Sequence, residues 1–240
     1  MVQFDNKFYK VEWMLEEIAP NLSIQRHPLS LVGCKMGRVV TLIRLNSGKV
    51  LIHSTAQFND EDISEIRKFG EPAWLLEVTN FHDTFAQEGR VAFSTIPYFT
   101  PSGFADADLL KCTSMDSLPE EWVDELEVIK IEGMPKIQEH IVYHRQSKTL
   151  IVADLLFNIQ PEAGWWTHTF LRATAGIREY PGMSRLYRLF IKDRSAFIKS
   201  MQNILALDFE NIVMSHGDPI LGSAKSILID LLGKHDLSKL

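Results

Sequence analysis

Cysteine is almost absent: among 240 residues there are two, Cys34 and Cys112, and they form no Cys-x-x-Cys pair. Neither a disulfide framework nor a thiolate zinc site is signalled. Positive charge is also short, since 25 Lys and Arg face 31 Asp and Glu, a formal charge of −6. A nucleic-acid or anionic-membrane binder needs a dominant basic field, so neither is an expected partner. No run approaches the roughly 18 uncharged apolar residues of a membrane-spanning helix. There is no internal repeat, low-complexity tract or Gly/Ser linker, and Met1 to Lys10 lacks the apolar stretch of a secretory signal. The cytoplasm is therefore the expected location. What is present is 45% hydrophobic and 10% aromatic content. A chain of this length buries roughly 70–75% of its unfolded surface, enough for a sizeable core. A single domain over residues 1–240 is expected.

Strand and helix signals alternate. Arg38 to Leu45 and Lys49 to Thr55 are β-branched runs joined by Asn46-Ser47-Gly48, a hairpin signal. Asp60 opens a helix to Phe69, with Ile63, Ile66 and Phe69 at helical spacing and Gly70 as the stop. Ala73 to Thr79 reads as a short apolar strand, and Val91 to Ser94 as another. Pro97 to Pro119, rich in Thr, Ser, Asp, Gly and Pro, reads as a long surface connection. Leu126 to Ile131 alternates with period two, and Glu139 to His144 and Thr149 to Asp154 flank a second hairpin turn. Asp193 caps a helix from Arg194 to Leu207, Asn211 to Ser215 is a strand, and Ser223 to Gly233 is a closing helix. Two hairpin-rich halves, each trailed by helices, predict an α/β sandwich of two sheets with helices outside.

In α/β folds the chemistry collects at the carboxyl ends of apolar strands. Four such ends carry polar residues here: His53 in LIHST, Asn80 and His82 in VTNFHD, Asp154 in IVADLLF, and His216 in VMSHGDP. Imidazole and carboxylate are the usual ligands of zinc, iron or manganese. Taken singly, a strand-end histidine is a structural hydrogen-bonder and Asp154 a turn residue; four in one chain point to a shared site.

Their order resembles the metallo-β-lactamase superfamily. Lys49 to Thr55 (KVLIHST) resembles its early strand ending in Asp-Thr-Gly, with His53 in the aspartate's place. Val78 to Gly89 (VTNFHDTFAQEG) resembles the Thr-His-x-His-x-Asp-His loop. Leu150 to Phe157 (LIVADLLF) resembles the strand whose terminal aspartate bridges two metals, and Ile212 to Pro219 (IVMSHGDP) the last ligand strand. The wording from Glu139 to Asp154 is most similar to an uncharacterised bacterial branch. The resemblance spans roughly Arg38 to Leu232 and implies a four-layer αββα sandwich of two packed mixed sheets.

The motif is degenerate. In register, His-x-His-x-Asp-His becomes Asn80-Phe81-His82-Asp83-Thr84-Phe85, and a later Gly-His becomes Gly133-Met134. The resemblance leaves His82, Asp154 and His216 as ligands for one divalent metal (zinc, iron or manganese), with Asp154 and His82 assigned to catalysis. His53, Asn80, Asp83 and Glu139 are the reserve positions. A second metal site is expected to be empty and partly filled by Phe85. The implied activity is a mononuclear metallo-hydrolase acting on an ester, thioester, lactone or phosphodiester, with a small anionic molecule as substrate or ligand. The alternative is a binding or regulatory protein on the same scaffold, without its metal.

Pairing Tyr143 with Leu150 and His144 with Thr149 sets Glu139 opposite Asp154. At about 3.3 Å per residue it leaves His144 on the order of 16 Å away, a structural residue at the turn. Between Arg172 and Lys199 lie seven basic residues, read either as a solvated helical face or as clamps for phosphate or carboxylate. Trp165, Trp166, His168 and Phe170 read as core or as the wall of a pocket.

Overall fold

The computed structural model describes residues 15–237; Met1 to Lys10, read above for a secretory signal, lies outside the described residues. The first half runs β1 (Glu16–Ala19), β2 (Leu22–His27), β3 (Ser30–Leu31), β4 (Cys34–Lys35), β5 (Arg38–Arg44) and β6 (Lys49–His53). It continues through α1 (Asp60–Phe69), β7 (Glu71–Leu76), α2 (Ala86–Ala92), β8 (Tyr98–Thr100), α3 (Ala107–Leu110) and β9 (Cys112–Ser114). The second half runs β10 (Leu126–Lys130), β11 (His140–His144), β12 (Thr149–Val152), α4 (Trp165–Thr174) and α5 (Arg185–Leu189). It ends with α6 (Arg194–Ala206), β13 (Asn211–Met214) and α7 (Ala224–Lys234).

Seven strands form one mixed sheet in the order β1-β2-β5-β6-β7-β8-β9, and four form a second in the order β10-β11-β12-β13. The alternation of each strand dictates the layers. From β5, Val39 and Ile43 face inward and meet Val142, Ile151 and Val213 of the second sheet in one buried cluster. Val40 and Leu42, one residue out of phase, pack instead with Ile66 of α1 and Ala86 of α2. On the far side Ile141, Leu150 and Ile212 pack against Phe197 and Met201 of α6 and Leu228 of α7. Helix, sheet, sheet, helix is thus the observed stacking, the expected αββα sandwich.

Local signals hold at most ends. The helix opening at Asp60 is capped by Asn59, whose Oδ1 accepts from Asp62 N while Asp62 Oδ2 accepts from Asn59 N. Asp193 caps α6 by accepting from Ala196 N. The β11–β12 register is the expected one, Tyr143 with Leu150 and His144 with Thr149.

Three expectations fail. Val91 to Ser94 is not a strand: Val91 and Ala92 finish α2, and Val91 is 72% exposed. Gly89 sets that helix, because a Cβ there would lie 2.4 Å from Thr55 Cγ2, and the Arg90 guanidinium takes up the carbonyls of Ser94 and Ile96. Pro97 to Pro119 is not one long loop, since it supplies β8, α3 and β9. Its strands are three residues each, too short to show a period, yet Tyr98, Phe99 and Thr100 are buried. Trp165 and Trp166, at the start of α4, are not core: Trp165 is 77% and Trp166 43% exposed. Helix α4 buries Thr167 and Leu171 instead, four residues apart on one face, with Thr167 Oγ1 accepting from Lys35 N.

Candidate metal centre

The two sheets are stitched together where the site lies. Val39 N at the start of β5 donates to Ser215 O just beyond β13, and His140 N at the start of β11 donates to Val78 O beyond β7. The loops after β7, β12 and β13 therefore open onto one another. His82, Asp154 and His216 come from those three loops, and one ligand atom from each lies within 4.8 Å of the other two.

Asp154 Oδ1 is the hub, 3.3 Å from His82 Nε2 and 3.7 Å from His216 Nε2. The two imidazoles meet edge to face at 5.4 Å, and the Phe157 ring stacks on His216 at 5.4 Å. Both histidines are buried, whereas the Asp154 side chain is 16% exposed and gives the cluster its opening to solvent. His216 Nδ1–H donates to Gly37 O at 2.8 Å, which leaves Nε2 with a bare lone pair aimed at Asp154. Gly217 makes that turn possible. Its φ is 102°, and a Cβ would lie 2.1 Å from Asn158 O.

Electrostatics sharpen the picture. Burial and Arg38 push His216 down to about 3, so it is neutral at ordinary pH. Burial raises the Asp154 carboxyl, but His82, His216 and Arg38 outweigh it and hold Asp154 well below the usual carboxylate range. Burial and Arg38 oppose a proton on His82, yet Asp154 and Glu77 together raise it. A bare imidazole nitrogen and an ionised carboxylate oxygen thus face each other 3.7 Å apart. Two lone pairs so placed repel unless a cation sits between them. Metal–ligand bonds of roughly 2.0–2.2 Å at near-tetrahedral angles set donor atoms about 3.3–3.6 Å apart, close to both distances here. The three residues fit a divalent ion.

The reserve positions separate. Glu139 is fully buried; its Oε1 accepts from Ala153 N at 3.0 Å and Leu155 N at 3.2 Å, holding the N–H groups of the residues on either side of Asp154. His53 is buried at the end of β6, and burial pushes it down to about 4. Neither of its ring nitrogens has a hydrogen-bond partner among the described residues. Asn80 donates to Ser102 O, and Asp83 is exposed. Of the remaining lost-ligand positions, Thr84 is exposed, Phe85 is half-buried at the start of α2, and Met134 lies in the hydrophobic cluster around α6. His144 sits at the turn, where its Nδ1 meets Ser147 Oγ at 2.7 Å.

Sequence reasoning missed two residues. Glu77 is fully buried and accepts from Thr55 N and Thr55 Oγ1, with Oε2 3.6 Å from His82 Nδ1. That is longer than a hydrogen bond, and His82 Nδ1 has no hydrogen-bond partner among the described residues; the Glu77 carboxylate acts by favouring a proton on His82. Arg38 is 2% exposed and donates to Ser54 Oγ; its charge acts on His82, Asp154 and His216 alike. A charged residue inside the apolar run Ala73 to Val78 was the available signal for Glu77. Arg38 had none to set it apart from Arg44 at the other end of the same strand.

No family model matches this sequence, and no curated protein matches it. Solved structures do. DIM-1 metallo-β-lactamase exposed to ceftazidime is similar with a TM-score of 0.61 at 14% identity, covering 92% of this chain and 96% of that one. The metallo-β-lactamase from Pontibacter korlensis is similar with a TM-score of 0.59 at 14% identity, covering 91% and 98%. A metallo-β-lactamase from Erythrobacter litoralis gives 0.60 at 13% identity, covering 92% of each chain. The chain has the metallo-β-lactamase fold. Its His/Asp cluster is one that could hold a metal ion.

Proposed function

We propose that this protein is a metal-dependent hydrolase whose single divalent ion, zinc, iron or manganese, is held by His82, Asp154 and His216. The observation that carries the reading is the bare His216 Nε2 set against the ionised Asp154 Oδ1, with the other His216 nitrogen committed to Gly37 O. A bound divalent ion lowers the pKa of a coordinated water to about neutrality and polarises a substrate oxygen. The chain's own residues do the positioning. Glu77 places its charge behind the His82 ring, Glu139 holds the N–H groups of the residues on either side of Asp154, and Phe157 stacks on the His216 ring. Substrate approaches from the Asp154 side, where the cluster reaches solvent. The substrate class is a small anionic ester, thioester, lactone or phosphodiester.

A non-catalytic binding protein is the second reading. What favours it is that Met134 is absorbed into the hydrophobic core and Asn80 is tied to Ser102 O, so those ligand positions of a dinuclear centre are put to structural use. Hydrolysis of a panel of esters, thioesters, lactones and phosphodiesters, by metal-loaded and chelator-treated protein, separates the two. Turnover that needs metal and is lost in Asp154→Ala supports the hydrolase. Metal-loaded protein inert across the panel supports the second.

A further inference from the structure

The α4–α5 connection, α5 and the end of α7 line an open cavity of about 620 Å³ that includes none of His82, Asp154 and His216. Its walls carry Arg172, Arg178, Arg185, Arg188 and Lys234 against one acid, Glu179. Glu179 is already committed, since its Oε2 pairs with Lys234 Nζ at 2.8 Å. No carboxylate among the described residues lies within ion-pair distance of any of the four arginines. In a chain of net charge −6 such a concentration of unneutralised cations is local, not a reflection of a basic surface.

Arg172, Arg178, Arg185 and Lys234 reach solvent, and Arg188 is half-buried. Arg185 and Arg188 stand one turn apart on α5, side by side. Arg188 Nε is enclosed by protein yet has no hydrogen-bond partner among the described residues. Arg185 seats flush against Gly176, where a Cβ would lie 2.6 Å from Arg185 Cβ. Ser184 Oγ donates to Ala175 O and accepts from Leu186 N and Tyr187 N, so the end of α4 is tied to the start of α5. Ile177, Met183 and Leu231 give the cavity an apolar wall.

A cavity of this size falls within the range of small-molecule sites, roughly 300–1,000 Å³. The planar guanidinium fork matches phosphate oxygens two at a time, and two adjacent forks call for more than one anionic group. The apolar wall accepts an uncharged body. We propose that this cavity binds a small organic phosphate carrying at least two negative charges, at a site separate from the candidate metal centre. It does not depend on the hydrolase reading.

Calorimetric titration of the full chain tests it, with inorganic triphosphate and ATP as probes and with chelator-treated and untreated protein compared. The expected result is saturable one-to-one binding of triphosphate, equal with and without chelator and weakening as salt rises. Arg185→Gln and Arg188→Gln should each weaken it about tenfold or more, while Arg67→Gln on exposed α1 leaves it unchanged. Circular dichroism of each variant verifies folding. Absence of saturable triphosphate binding, binding unchanged in the Arg185 and Arg188 variants, or binding lost on chelation would each overturn the proposal. So would affinity confined to phosphatidylglycerol vesicles, which would make this face a membrane contact.

Discussion

Glu139→Ala removes the acceptor that holds the N–H groups on either side of Asp154. Glu139 Oε1 takes Ala153 N–H at 3.0 Å and Leu155 N–H at 3.2 Å, and the residue has no solvent exposure. A buried N–H left without a partner costs about 1–3 kcal/mol. Two of them, relieved in part by water entering the vacated space, make the expected loss about 2–5 kcal/mol. Glu139→Gln keeps a carbonyl oxygen at the same place. Burial and the neighbouring Asp154 charge push the Glu139 carboxyl up, toward its uncharged form, so an uncharged amide is also the closer electrical match. The glutamine variant should lose less than about 1.5 kcal/mol. Urea unfolding of wild type and both variants at pH 7, with equal m-values, measures the difference directly. Metal affinity should follow: down about 10–100-fold in the alanine variant and under about tenfold in the glutamine variant. Equal stability of the two variants would refute the reasoning, because the alanine variant has lost the acceptor that the glutamine variant keeps.

Burial pushes His144 down to about 4, below the ~6.5 of an unfolded histidine. The unfolded chain then binds the extra proton between those values, so this contribution is complete above pH 6.5 and about 3 kcal/mol is lost as pH falls through 4. His144→Asn should flatten that part of the urea-unfolding pH profile and leave metal content unchanged. Arg38→Met strips the buried cation facing Glu77 and Asp154 and should cost about 3–5 kcal/mol in urea at neutral pH; an unchanged midpoint would count against the charge array. Gly217→Ala must strain φ and press on Asn158 O, a loss on the order of 1–3 kcal/mol or more with weakened metal binding. Gly222→Ala, also at positive φ but with open space around it, is the milder control in thermal melts.

The sandwich was legible because its long strands carry their own period. Arg38 to Leu45 shows one inward and one outward apolar set, and the hairpin register at Tyr143 and Leu150 follows from a short turn. Strand ends marked His82, Asp154 and His216 as candidates, since a polar residue closing an apolar run is conspicuous. Three-residue strands such as β8 have no period to read, and α2 owes its place to the Gly89–Thr55 contact, which joins residues far apart in sequence. Trp165 and Trp166 stay exposed because Thr167 and Leu171 provide the buried face of α4, a choice made by its neighbours. Arg38 and Glu77 acquire their roles only once two sheets bring β5 and the end of β7 beside the loops after β12 and β13.

Metal content tests the central claim most directly. Protein purified without chelator and analysed by inductively coupled plasma mass spectrometry should carry close to one zinc, iron or manganese per chain, with Asp154→Ala and His216→Ala each losing it. Adding that metal to stripped wild type should raise its melting temperature, since a ligand that binds only the native state stabilises it. Stripped wild type that takes up no metal and melts unchanged, or native protein holding two ions per chain, would contradict a single ion held by His82, Asp154 and His216.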